Sequence, residues 1–106
     1  METPSRYAGK PMVRLAECYA LDAIGKLSDP DRTNLEAMAP KLRASLKATG
    51  SWQDVIASAL DFPPNMPALI QNLWVKNQEI ARSQNAVLTP QEFAEMFVDQ
   101  NVMGGD

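Results

Sequence analysis

The chain has 106 residues, of which 45% are apolar and 22% are charged, and its formal net charge is −3. This length and composition are typical of a single globular domain built around one hydrophobic core. There is no histidine and one cysteine, Cys18, which excludes Ser-His-Asp and Cys-His catalytic sets and a Cys/His zinc site within these residues.

Apolar residues recur at helical spacing through most of the chain, and no stretch alternates with a period of two. Turn signals divide it into about five helices within a single domain at residues 11–101. We expect a flexible arm at residues 1–10 and a frayed tail at residues 102–106. The first helix is predicted to run from Pro11 or Met12 to Leu27.

The first helix is apolar on two sides. Its broad face follows the i, i+3, i+4 spacing and consists of Met12, Leu15, Ala16, Tyr19, Ala20, Ala23, Ile24 and Leu27. The opposite side carries a narrow strip of Cys18, Leu21 and Gly25 next to Arg14. A helix that is apolar on two sides is usually buried on two sides, which predicts that it is the central helix. Alternatively, Arg14, Cys18, Leu21 and Gly25 contact another chain, with Gly25 allowing close backbone approach.

The second helix is predicted to begin at Ser28 or Asp29, where "SDPD" offers a capping side chain followed by proline, and to end at Gly50. Its apolar stripe keeps its phase across Pro40, so we expect a bend there rather than a break. The third helix follows at once, because "SWQD" at Ser51 is a capping-box-like start. The prolines of "DFPPN" end it.

Asn65 is predicted to cap the fourth helix. Its apolar stripe consists of Met66, Leu69, Ile70, Leu73, Trp74, Ile80 and Ala81. Asn77 interrupts this stripe, and an unpaired amide is costly to bury. We therefore expect a buried Asn77 that bonds a backbone carbonyl where two helices cross. The alternative is that Asn77 occupies an a position of a short heptad stretch and sets the register between paired helices.

The fifth helix has the clearest start, because "TPQE" places Thr89 at the cap, Pro90 in the first turn and Glu92 where it reaches back to the cap. Phe93, Met96 and Phe97 are its predicted buried face. Glu92, Glu95 and Asp99 lie along another side at i, i+3 and i+7. This spacing favours a solvated acidic face; the alternatives are a divalent ion, acid/base chemistry or contact with a basic partner.

Charge is distributed unevenly. Residues 1–50 carry eight basic and six acidic groups, and residues 51–106 carry two basic and seven acidic groups. The second half therefore repels phosphates, which argues against a nucleic-acid partner. Acidic and basic residues break every long apolar run, so no membrane span is expected. A lone thiol and the lack of an apolar leader predict a cytoplasmic location.

The sequence therefore predicts an all-α protein, a compact bundle of about five helices with the first helix central. It also predicts a non-enzymatic protein-interaction module without metal or cofactor, whose partner is another protein or a second copy in a homodimer. One alternative is a small acidic inhibitor, of the immunity or antitoxin type, that masks a basic enzyme. Another is an enzyme that uses only carboxylates, tyrosine or the lone thiol.

Overall fold

A computed structural model describes residues 11–101, and of Pro11 and Met12 it describes the backbone. The arm predicted at residues 1–10 and the tail predicted at residues 102–106 lie outside the described residues. The described part is all-helical, as predicted. Its five helices are α1 (Pro11–Ala23), α2 (Asp29–Leu46), α3 (Trp52–Ala59), α4 (Met66–Ser83) and α5 (Pro90–Asn101).

The middle of α1 is enclosed on every side. All seven residues from 15 to 21 are buried, and seven residues make nearly two helical turns, so they point in all directions from the axis. α1 packs against α3, α4 and α5. Two ion pairs join it to α2: Arg14 Nη2 lies 3.2 Å from Asp31 Oδ2, and Arg32 Nη1 lies 2.8 Å from Asp22 Oδ1. These contacts support the predicted central position of the first helix.

α1 ends at Ala23, so the predicted end at Leu27 is wrong. Gly25 adopts a left-handed conformation with φ of 72°. Its N–H donates to the carbonyl of Asp22 at 3.0 Å, and the N–H of Lys26 donates to the carbonyl of Leu21 at 2.8 Å. These two bonds are the Schellman arrangement that closes a helix. Gly25 therefore stops α1 and does not lie on one of its faces.

α2 begins as predicted, since Ser28 Oγ accepts a hydrogen bond from the Asp31 N–H at 3.3 Å. It is continuous through Pro40 and ends at Leu46, so the predicted end at Gly50 is wrong. Lys47 takes the left-handed conformation, with φ of 51°, and donates to the carbonyl of Arg43. Gly50, with φ of 98°, lies in the connection to α3.

α3 and α5 begin with the predicted capping boxes. Ser51 Oγ accepts from the Asp54 N–H, and the Asp54 carboxyl accepts from the Ser51 N–H. At α5, Thr89 and Glu92 make the same reciprocal pair. α5 then buries its apolar face against α1, and α3 buries its apolar face against α2 and α1. Each fully buried large side chain contributes about 1.5–3 kcal/mol to the free energy of unfolding. Among the described residues, the largest fully buried apolar side chains are Phe93, Phe97, Ile56, Ile70, Val55 and Val98.

Candidate functional site

The strip proposed on the first helix lies mostly inside the molecule. Cys18 and Leu21 are buried by the chain's own helices. Arg14 is partly exposed and paired with acidic side chains, while Gly25 is exposed beyond the end of α1. The four residues therefore do not form one exposed face on a single chain, and internal packing accounts for the second apolar side of α1.

Burial holds the two nucleophile candidates of α1 in their neutral forms. It raises the pKa of Cys18 to about 11, and the neighbouring Arg14 only partly opposes this. Burial also raises the pKa of Tyr19, whose ring contacts Phe62 with 5.2 Å between the centroids. A thiol needs its thiolate form to act as a nucleophile, so the surroundings of Cys18 disfavour that chemistry.

A buried carboxyl group, Glu17, was missed by the sequence analysis. Its side chain is completely buried. Gln91 Nε2 on α5 donates to its Oε2 at 2.9 Å, and Arg14 Nη1 lies 3.5 Å from its Oε1. The same guanidinium reaches Asp31 on α2, so one network connects α1, α2 and α5. No local pattern reveals this burial, because Gln91 is 74 positions away in the chain.

An open pocket of about 320 Å³ lies beside this network, between α1 and the N-termini of α2 and α5. Arg14, Lys26, Asp31 and Gln91 contribute to its lining, whereas Cys18 and Tyr19 do not. Arg14 Nη1 is buried and makes no hydrogen bond, although it lies at ion-pair distance from Glu17. Two basic side chains, Arg14 and Lys26, and one acidic side chain, Asp31, line the pocket. Arg14 is already paired with Asp31 and with Glu17, so its charge is largely neutralised within the chain.

The three acidic residues of α5 are partly engaged within the chain. Glu92 is exposed and accepts hydrogen bonds from the N–H and the hydroxyl of Thr89, at 3.1 and 2.9 Å, which lower its pKa. Glu95 accepts from Gln91 Nε2 at 3.2 Å, and Glu95 and Asp99 are half-buried. Within residues 11–101, no three Asp, Glu, Cys or His side chains are grouped so that they could hold a metal ion.

Asn77 is half-buried rather than buried. Its Nδ2 donates to the carbonyl of Leu73, one turn earlier in the same helix, at 2.7 Å. The predicted backbone-carbonyl bond is present, but the prediction of a buried amide at a helix crossing is wrong. The physical reason is that the second half of α4 is incompletely covered, so the amide meets its own helix and solvent.

A row of large apolar side chains stands exposed along α4. Leu69, Leu73 and Ile80 are 41%, 37% and 54% exposed, although the sequence pattern predicts them as core. At 100° per residue they lie within about 40° of one another around the helix. Met66 and Ile70, on the adjoining face, are the residues of α4 that are buried. We name the row of Leu69, Leu73 and Ile80 the α4 ridge.

Two exposed charges accompany the α4 ridge. Lys76 lies in line with it, about 20° from Leu69, and Glu79 lies on the same flank, about 80° from Leu69. Neither charge makes an ion pair with the described residues. Val87, which follows the turn at the end of α4, is 86% exposed. Leu69 and Leu73 are one turn apart, and Lys76 lies between Leu73 and Ile80. Large apolar side chains exposed in one row with charged neighbours favour an interaction surface, whereas exposed apolar residues scattered singly do not.

Comparison with protein-family models, with curated proteins and with solved structures found no match to this chain. None of the helices within residues 11–101 is both long enough and apolar enough to cross a membrane. A function is therefore inferred from the chemistry and exposure of the side chains themselves.

Proposed function

We propose that this protein is a non-enzymatic interaction module that binds another protein chain through the α4 ridge. The observation that carries the proposal is the exposure of Leu69, Leu73 and Ile80 in one row. Covering the part of each side chain that is still exposed would contribute roughly 1 kcal/mol, about half of the value for complete burial. The ridge replaces the Cys18–Leu21–Gly25 strip as the candidate contact surface, because the strip is mostly interior.

The chemistry of the rest of the chain favours binding over catalysis. The lone thiol is buried and its pKa is raised, and the polar pocket has its arginine paired with two carboxyl groups. An unpaired cysteine suits a reducing compartment such as the cytoplasm. The acidic-inhibitor alternative has less support, because Glu92 and Glu95 already accept hydrogen bonds within the chain.

A photo-crosslinking amino acid tests the proposal, placed at Leu73 on the ridge or, as a matched control, at Val75. Val75 is 52% exposed on the same helix but points about 160° away from Leu73. In the cells that make the protein, we expect the probe at Leu73 to form a discrete protein adduct that the probe at Val75 does not form. Equal adduct yields at the two positions, or none at either, would overturn the proposal.

A further inference from the structure

We infer that the chain bound at the α4 ridge is a second copy of this protein, with the two α4 helices packed antiparallel about a two-fold axis near residue 78. This inference rests on the proposed function and adds the identity of the partner.

The spacing of the ridge fits a partner helix with the same repeat. Leu69, Leu73, Lys76 and Ile80 follow one another at intervals of four, three and four residues, which is the a/d spacing of paired helices. A second α4 has this spacing by definition. With a two-fold axis perpendicular to both helices, the same residues of each copy form the interface.

Charge selects the register. When Lys76 lies opposite Ile80 of the second copy, its aliphatic stem covers that side chain. Its ammonium group then lies about 1.5 Å along the axis from the level of Glu79 of the second copy, since each residue rises 1.5 Å. Lys76 and Glu79 share one flank of the ridge, and the two-fold axis keeps that flank on the same side in both copies. The axis therefore forms the Lys76–Glu79 pair twice, from two charges that make no ion pair with residues 11–101 of their own chain.

The remaining apolar side chains also find partners in this register. Leu73 lies opposite Ser83 of the second copy, a small residue that leaves room for the leucine. Leu69 lies just beyond the end of the second α4, beside the segment that carries Val87. That valine is 86% exposed in the single chain.

The size of the ridge sets the expected strength. Stable interfaces bury about 800 Å² on each partner, whereas a row of three side chains provides on the order of a few hundred Å² of apolar surface. We therefore expect a weak dimer whose population rises with protein concentration, in which both copies keep the fold of the single chain.

Sedimentation equilibrium of the full chain over a hundredfold range of concentration tests the dimer. The wild-type mass should rise from 11.7 kDa towards twice that value. Ile80→Glu should remain monomeric throughout, and Val75→Glu, an equally exposed position away from the ridge, should behave as wild type. Circular dichroism confirms that each variant is folded, and Leu73→Ser serves as a second ridge variant should Ile80→Glu fail to fold.

Charge reversal tests the register. Lys76→Glu and Glu79→Lys should each weaken association about fivefold, because each replaces two attractive pairs with two repulsive ones. The double variant should return to within twofold of wild type. An equimolar mixture of the two single variants should associate at least as well as wild type, since both mixed pairs are attractive. A double variant as weak as the singles would overturn the register and, with it, the inferred partner.

The results separate this inference from the proposed function. A wild-type chain that stays monomeric, together with a Leu73-specific adduct to a different protein, would overturn the second copy as partner and keep the interaction module. If the wild-type chain associates and Ile80→Glu and Val75→Glu associate equally strongly, the α4 ridge is not the dimer interface. An adduct of twice the chain mass, formed by the probe at Leu73, supports both the interaction module and the second copy as its partner.

Discussion

Gln91 of α5 donates a hydrogen bond from Nε2 to Oε2 of Glu17 of α1 at 2.9 Å, and Glu17 is completely buried. The bond supplies one of the partners that a buried carboxyl group requires. It also ties the first turn of the last helix to the central helix, 74 residues earlier in the chain. The stability of the bundle should therefore depend on a side chain in the first turn of α5.

Gln91→Ala should lower the free energy of unfolding by about 1–3 kcal/mol, because it removes a hydrogen bond donated to a completely buried carboxyl group. Urea unfolding followed by circular dichroism measures the loss. Gln100→Ala, an exposed position in the same helix, is the control and should change stability by no more than about 0.5 kcal/mol. Equal losses in the two variants would show that the Gln91–Glu17 bond adds nothing.

Glu92 should make the stability depend on pH in acid. Hydrogen bonds from Thr89 lower its pKa in the folded state below the ordinary value of 4.5. Its contribution is therefore fully present above about pH 4.5 and is lost as the pH falls through the lowered pKa. The stability difference between wild type and Glu92→Gln, measured by unfolding at pH 6 and pH 3, should shrink at the lower pH. A constant difference would contradict the capping role.

Gly25→Ala should destabilise the protein by roughly 1–2 kcal/mol, the cost of a left-handed conformation for an L-residue. A methyl group there would touch nothing within 4 Å, so the cost is conformational and not steric. The sign of the change in stability distinguishes a helix that stops at Gly25 from one that continues through it. An alanine within a continuous helix would stabilise the protein by about 1 kcal/mol relative to glycine. Thermal unfolding measures it, and Gly25→Asn, which tolerates this conformation better, should lose less.

Cys18 should react slowly with thiol reagents in the folded protein. With its pKa raised from 9.0 to about 11, the thiolate fraction at pH 8 falls from about one in ten to about one in a thousand. Alkylation by iodoacetamide, followed by mass spectrometry, should be at least about 100-fold slower in buffer than in urea. Similar rates in the two conditions would mean that α1 is not enclosed.

Local features of the fold were predictable from the sequence. Ser28, Ser51 and Thr89 cap their helices through bonds that span three residues, so a four-residue pattern contains both partners. Gly25 and Lys47 show the limit of such patterns. The apolar period continues past Gly25 to Leu27, and no glycine occurs between Asp29 and Gly50 to mark the end of the second helix. The chain nevertheless leaves each helix where Gly25 or Lys47 adopts the left-handed conformation.

The sequence by itself determined that the protein is helical and where each helix begins. It also determined that the first helix is buried on more than one side. These properties depend on residues within a few positions of one another. Only the tertiary structure decided which apolar stripe stays exposed and which charge is buried. Leu73 of α4 and Leu15 of α1 occupy equally regular helical patterns, yet one is exposed and the other buried. Exposure depends on how far neighbouring helices extend, and the burial of Glu17 depends on a partner 74 residues away.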